Sequence, residues 1–214
     1  MAKRLSKVKI IWNVNFAYAI GLITTDGNLS IDGRHISFTT KDKQLASLFK
    51  KCLGLNNKIG KKSRGHSKIK KYYVIQFGDV NLYEYLQTIG LTPTKSKTIR
   101  EIDVPDKYFA DFLRGCLDGD GNISIFNHPE SKHKQLKVRF TSASEKFLLW
   151  IHNAISKKYK INGGYIYKDK IKSVSTLSYA KNDGGKILKL MYYRKNLPFL
   201  KRKKDIFDSM LGEW

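Results

Sequence analysis

The chain lacks most of what staples a small protein together. It has two cysteines, Cys52 and Cys116, far apart and outside any C-x-x-C spacing. That excludes a disulfide framework and a structural zinc site, and it fits a reducing compartment. The five histidines (His35, His66, His128, His133, His152) show no ligand spacing either. Long apolar runs are missing: the longest uninterrupted stretch of apolar or small residues, Phe16–Ile23, is far too short to span a bilayer, and no signal-peptide processing site accompanies it. An intracellular protein with no membrane partner is expected, in the cytoplasm of a microbe or in an organelle matrix. Acid is scarce as well. Asp+Glu number 18 against 41 Lys+Arg, a formal net charge of +23. Such an excess points to a polyanionic partner. The charge is clustered, with six basic residues and no acid in Lys61–Lys71 and another six in Arg194–Lys204. Lysine outnumbers arginine, which favours phosphate contact over dense bidentate guanine reading and makes Lys68 and Lys70 candidate phosphate contacts.

What the chain does have is periodicity, and it occurs twice. At 214 residues it is one large domain or two small ones fused, long enough to bury a core. Val14–Thr25 is apolar on most faces, as a buried helix is. Alternation then marks a hairpin through Asp32-Gly33, with Leu29, Ile31, Ile36 and Phe38 on the apolar face. Lys41–Leu53 reads as an amphipathic helix, Lys61–Lys71 as a basic loop, Tyr72–Phe77 as a strand and Val80–Ile89 as a helix closed by Gly90. The second half repeats the order: helix Phe109–Leu117, strand Asn122–Phe126, a loop with Pro129, strand Gln135–Thr141. Helix Ser144–Lys157 follows, with Ser144 as N-cap, then hairpin Gly164–Lys168 with Val174–Lys181, helix Lys186–Tyr193 and a basic helix Phe199–Leu211. ISFTTKDKQLASLF pairs by eye with VRFTSASEKFLLWI, and GLTPTKSKTI with NLPFLKRKKDI. The expected division is a first repeat 1–99, a linker 100–106 marked by Pro105, and a second repeat 107–214.

The strongest signal lies inside that repeat. AIGLITTDG (Ala19–Gly27) recurs as LRGCLDGDG (Leu113–Gly121). Each copy has a mid-helix glycine, Gly21 or Gly115, small enough for close helix contact. Each ends in Asp-Gly, where the glycine is expected to take the left-handed conformation that stops a helix. An aspartate at a helix C-terminus sits at the unfavourable end of the macrodipole. Two such helices lying together bring Asp26 and Asp120 to the same end, and two carboxylates beside uncapped carbonyls make a hard oxygen site suited to a magnesium-type cation. On the flanking strands, polar residues alternate with the core set and face outward, where a β-ribbon can read the major groove. In the first half these are Asn28, Ser30, His35, Ser37, Thr39 and Gln76. In the second they are Asn122, Ser124, Gln135, Lys137, Arg139 and Thr141.

The two nonapeptides resemble the motif that names the LAGLIDADG homing endonucleases, in the single-chain two-motif branch of that family. Thr24 stands where the first copy would carry the motif's first acid; Asp118 holds that position in the second copy, either tuning the metal site or standing as a solvated turn acid. The resemblance implies an α+β fold of tandem pseudo-symmetric αββαββα repeats, with two antiparallel sheets forming a DNA-binding saddle and the motif helices packed at the pseudo-twofold axis. It implies a monomeric, site-specific double-strand DNA endonuclease on a long asymmetric target, cutting across the minor groove and leaving short 3′ overhangs. Mg2+ would be the cofactor, with Mn2+ or Ca2+ substituting in binding. Asp26 and Asp120 would be catalytic metal ligands, helped by the backbone carbonyls of Thr25 and Gly119. The family's lysine at the end of the last strand before a repeat's third helix falls on Lys181. The first half has none there, and Lys41 is a candidate substitute. Water is the nucleophile in such chemistry, so no Ser-His-Asp set is needed. Two other readings remain open from sequence: an RNA-binding intron maturase, and a catalytically inactive DNA-binding regulator on the same fold.

Overall fold

The structure, a computed structural model, describes residues 6–63, 68–127, 134–169 and 173–210. Arg64, His66, His128, Pro129, His133 and Leu211 lie outside the described residues. Asn13 opens the first helix, α1 (Val14–Asp26), by accepting the Phe16 N–H at 2.9 Å. Its counterpart α4 (Phe109–Asp120) follows a short 3-10 turn at Asp106–Tyr108. Every residue from Phe16 to Thr24 and from Phe109 to Asp118 is buried, as an apolar surface all round a helix demands.

The two helices pack on each other through their glycines. A Cβ added at Gly21 would lie 2.2 Å from the Phe112 carbonyl oxygen, and one at Gly115 would lie 2.2 Å from that of Tyr18. Each glycine therefore seats on the backbone of the opposite helix, as the small residues of the motif predict. Gly27 and Gly121 correct the expectation of a left-handed stop. Both are extended, at φ −84. What requires glycine there is space, because a Cβ would come within 2.6 Å of the Ile23 or Leu117 carbonyl oxygen.

After α1 come β1 (Gly27–Leu29), β2 (His35–Thr40), α2 (Lys43–Cys52), β3 (Gly60–Lys62), β4 (Tyr72–Gly78) and α3 (Val80–Thr88). After α4 come β5 (Asn122–Asn127), β6 (Lys134–Ser142), α5 (Glu145–Tyr159), β7 (Tyr165–Lys168), β8 (Ser175–Tyr179), α6 (Lys181–Met191) and α7 (Lys201–Met210). The strands form two antiparallel four-stranded sheets with the same topology, β1-β2-β4-β3 and β5-β6-β8-β7. The class is α+β, as expected. Asp42 caps α2 and Ser144 caps α5, the latter accepting the Phe147 N–H at 3.4 Å. The apolar faces of both sheets and both motif helices merge into one core.

Several details differ from the sequence reading or extend it: Ile31, read with the apolar face of the first hairpin, is exposed, and α6 begins at Lys181, before the expected Lys186. Gly60–Lys62, read as the start of a basic loop, is an edge strand; its lysines carry no apolar alternation, which is how edge strands resist further pairing. The segment at Pro93 that pairs with α7 is a run of turns, with Thr94 at φ +57, where helix propagation stops. The stretch 100–105 between the halves is not loose: Ile102 and Val104 are buried, and the Ser144 hydroxyl donates to the Ile99 carbonyl. Among the described residues no helix is long and apolar enough to cross a membrane.

Candidate active site and nucleic-acid interface

The packing of α1 on α4 delivers both motif acids to one place. Asp26 and Asp120 line a single solvent-open cavity of about 850 Å³. Thr24, Thr25, Asn28, Ser37, Thr39, Lys62, Lys95, Thr141 and Ser142 also line it, so it sits where the two sheets meet the ends of the motif helices. Gly119 sits directly against the first helix: a Cβ there would fall 2.0 Å from Thr25 Oγ1 and 3.5 Å from Asp26 Oδ2. Thr25 and Gly119, the residues named for their carbonyls, are thus neighbours beside the Asp26 carboxylate. Thr25 Oγ1 donates back to the Leu22 carbonyl at 3.1 Å, which locks the side chain that Gly119 makes room for.

A divalent cation fits this donor set. Carboxylate and carbonyl oxygens are hard ligands, and magnesium is commonly held by one or two protein carboxylates with the rest supplied by water and substrate phosphate. Among the described residues there is no group of three or more His, Cys, Asp or Glu that could hold a metal ion by itself.

Asp118 is not a solvated turn acid. It is fully buried, and its Oδ2 accepts the Tyr18 hydroxyl and the Leu200 N–H, both at 2.8 Å. Burial pushes its carboxyl up to about 6 against the pull of Lys203, those two hydrogen bonds and Arg114. Oδ1 has no hydrogen-bond partner among the described residues. In the first repeat Thr24 occupies the matching place and satisfies itself by donating to the Ile20 carbonyl at 2.8 Å. The two copies of the motif therefore differ in the core behind the site while agreeing on the cavity acid.

Two lysines that sequence reading passed over lie at the ends of the motif helices. Lys95 Nζ donates to the Gly27 carbonyl, and Lys203 Nζ donates to the carbonyls of Leu117, Asp118 and Gly121, the last at 2.7 Å. Gly27 and Gly121 are matching motif residues, so the lysines are pseudo-symmetric partners. Each satisfies carbonyls that a helix C-terminus leaves open. Burial lowers both to about 8, with Asp120 and Asp26 opposing the shift at Lys95 and Asp118 opposing it most at Lys203. The signal that could have found them was the pairing of GLTPTKSKTI with NLPFLKRKKDI, with Lys95 set against Lys203, two positions off the alignment of their first residues. Lys181 is not brought to the cavity; it is the first residue of α6, while Val174, before the other end of β8, lines the cavity. Lys41 lies over the Tyr72 ring at 5.4 Å and also falls outside the cavity lining.

The expected outward residues share the faces turned away from the core. In the first sheet Asn28 pairs with Ser37 and Ser37 with Gln76, a continuous polar row across three strands, with His35 and Thr39 on the same face of β2. His35 Nδ1 is paired with Asp32 in the hairpin turn. Ser30 falls just past β1, and its carbonyl accepts the Tyr83 hydroxyl at 2.5 Å. In the second sheet Asn122 pairs with Arg139, Ser124 with Lys137 and Phe126 with Gln135, and Thr141 with Thr176. Arg139 Nη1 donates to Asn122 Oδ1 and Ser124 Oγ, each at 3.2 Å, and Lys137 lies over the Phe126 ring at 5.0 Å. Tyr165 and Tyr167, not anticipated from sequence, pair with Ser178 and Thr176, which places them on this same face. Lys68 and Lys70 are exposed beyond β3.

Residues 13–90 match the sequence profile of a LAGLIDADG-like domain. The chain carries a LAGLIDADG fold. No curated protein sequence matches it. Among solved structures, the I-LtrWI LAGLIDADG homing endonuclease bound to target DNA is similar at 16% identity and TM-score 0.55, over 94% of this chain and 92% of that one. I-SmaMI bound to an uncleaved DNA target in the presence of calcium ions is similar at 13% identity and TM-score 0.57, over 95% and 92%. Full-length DUF199/WhiA from Thermatoga maritima is similar at 15% identity and TM-score 0.56, over 96% of this chain; the chain spans 62% of that protein's length. At these identities the likeness is one of fold. The two-sheet, two-motif LAGLIDADG arrangement covers nearly the whole chain.

Proposed function

We propose that this protein is a site-specific, divalent-metal-dependent DNA endonuclease that hydrolyses one phosphodiester on each strand, binding as a monomer whose halves are 1–99 and 107–214. The observation that carries the reading is the shared cavity of Asp26 and Asp120 at the meeting point of two polar, basic sheet faces. Asp26, Asp120 and the Thr25 and Gly119 carbonyls would hold the metal. A bound Mg2+ lowers the pKa of water and stabilises the leaving 3′ oxygen. The chain's own part is to hold the carboxylates at fixed helix ends and to place the duplex across the saddle. Arg139, Lys137 and the Asn28–Ser37–Gln76 row read bases, and Lys68 and Lys70 track phosphate. Cutting across the minor groove would leave short 3′ overhangs. Cleavage selection from a randomised duplex library with Mg2+, and again with chelator, tests the proposal; a protein that enriches sequences by binding and never cuts them overturns it. That outcome would favour DNA binding without cleavage, the inactive-regulator reading that the sequence leaves open. Enrichment of structured intron RNA over duplex DNA would point to a maturase.

Two expected results follow directly. Affinity should fall steeply with salt, with a log–log slope of roughly −0.9 per phosphate contact as counterions are released. Neutralising Lys68, Lys70 and Lys71 together should weaken all sequences about equally and flatten that slope by roughly two to three units. Fluorescence anisotropy across a salt series checks this, and an unchanged slope removes the segment from the phosphate track. The second concerns Lys181, which opens α6 and lies outside the cavity lining. Lys181→Met should therefore leave cutting of both strands near the wild-type rate. A plasmid assay in which nicked circles build up before linear product, with one strand slowed by roughly a hundredfold, about 2.7 kcal/mol, would return the cationic role to this residue.

A further inference from the structure

Burying an ammonium is unfavourable unless hydrogen bonds and opposite charge compensate. Lys203 meets this demand with three carbonyls and stands behind the site, outside the cavity lining. Its ammonium is favoured by Asp118 first and then also by Asp120 and Asp26; its partner Lys95 differs in lining the cavity itself. Only 6% of it is exposed, it meets the Gly27 carbonyl, and it lines the same cavity as Asp26 and Asp120. The nearby opposite charges that favour its ammonium are those two carboxylates, Asp120 first. A helix cap alone explains the Gly27 contact but not a buried cation placed at the mouth of a two-carboxylate site.

We propose that Lys95 is the resident counter-cation of the carboxylate cavity: its ammonium, anchored on the Gly27 carbonyl, holds the two acids together in the metal-free protein, and an incoming divalent cation must share the site with its charge. Metal binding to the free protein is thereby weakened, and it strengthens when DNA phosphates add negative charge to the same cavity. The inference rests on the reading of Asp26 and Asp120 as metal ligands, and it names a residue outside the motif that tunes when they are occupied.

The test uses the full chain with calcium as the probe and thermal unfolding as the readout. Lys95→Met removes both charge and donor, Lys95→Gln removes the charge and keeps an N–H donor, and Lys95→Arg keeps the charge. In chelator, the Met and Gln variants should melt lower than wild type. Their calcium-dependent rise in Tm should be larger, corresponding to roughly fivefold tighter calcium binding once one unit of like charge is gone. Lys95→Arg should behave as wild type. A calcium increment equal to or smaller than that of wild type in both uncharged variants overturns the proposal, as does a Gln variant that matches wild type while Met does not, the pattern of a simple cap. Variants that fold only with calcium support it, because the metal then replaces the ammonium; variants that fold in neither condition assign Lys95 to the core and overturn it. Failure of the nuclease reading is separable. A wild-type protein that never cuts DNA leaves the calcium difference intact, whereas an active nuclease with equal increments discards this inference alone.

Discussion

Asp26→Asn or Asp120→Asn is expected to abolish double-strand cleavage while leaving DNA binding in place. The amide keeps the size and one oxygen of the carboxylate but removes the negative charge that a hard divalent cation requires. The loss should be roughly a thousandfold or more, about 4 kcal/mol of transition-state stabilisation. Both side chains line the cavity rather than the core, so the fold should be retained. Affinity for duplex DNA should hold or tighten, since an acid facing phosphate is removed. Plasmid cleavage followed on strand-labelled substrate, together with anisotropy on the same duplex, checks both parts. A variant that still cuts both strands near the wild-type rate removes that acid from the site.

Gly21→Ala and Gly115→Ala should each destabilise the whole protein, by about 3 kcal/mol, the upper end of ordinary overpacking. The reason is that the added methyl meets main chain, not a side chain that could rotate away: the Phe112 carbonyl oxygen at 2.2 Å in one case and that of Tyr18 at 2.2 Å in the other. Relief requires α1 and α4 to separate, and the core of both halves is built on them. For a chain of this length the melting temperature should drop by roughly 6–12 °C. Circular dichroism melts of the two variants measure it. A drop under about 2 °C would mean that the helices slide past each other and that the close approach is not required. Surviving activity should fall with both strands equally affected.

The secondary structure was legible wherever burial imposed a period. Leu136, Val138 and Phe140 alternate on β6 because one face is buried, and Leu45 and Phe49 repeat at helical spacing on α2 for the same reason. The edge strand Gly60–Lys62 has no buried face to write a pattern, and α6 begins at Lys181, earlier than the predicted Lys186, because its glycines carry no apolar signal. The doubled nonapeptide announced both cavity acids and both helix-contact glycines. The chain's order and spacing also predicted the paired sheets, since each half repeats the same sequence of periods.

What no reading of the sequence could supply was which distant groups meet. Asp118 is buried because Tyr18 and the Leu200 N–H, far from it in the chain, close over it. Lys95 and Lys203 look like two members of a lysine-rich surface, and only the packing of the segments after α3 and α6 carries their ammonium groups under the motif helices. Lys181 shows the converse: its place along the chain suggested a site residue, and the antiparallel register of β8 on β6 puts it at the strand end away from the cavity. Local pattern records how each element divides core from solvent, so the sequence alone determined the fold class, the repeat and the motif acids. Charge placement within the site depends on contacts between segments remote in the chain, which leave no periodic trace, and those the tertiary structure decided.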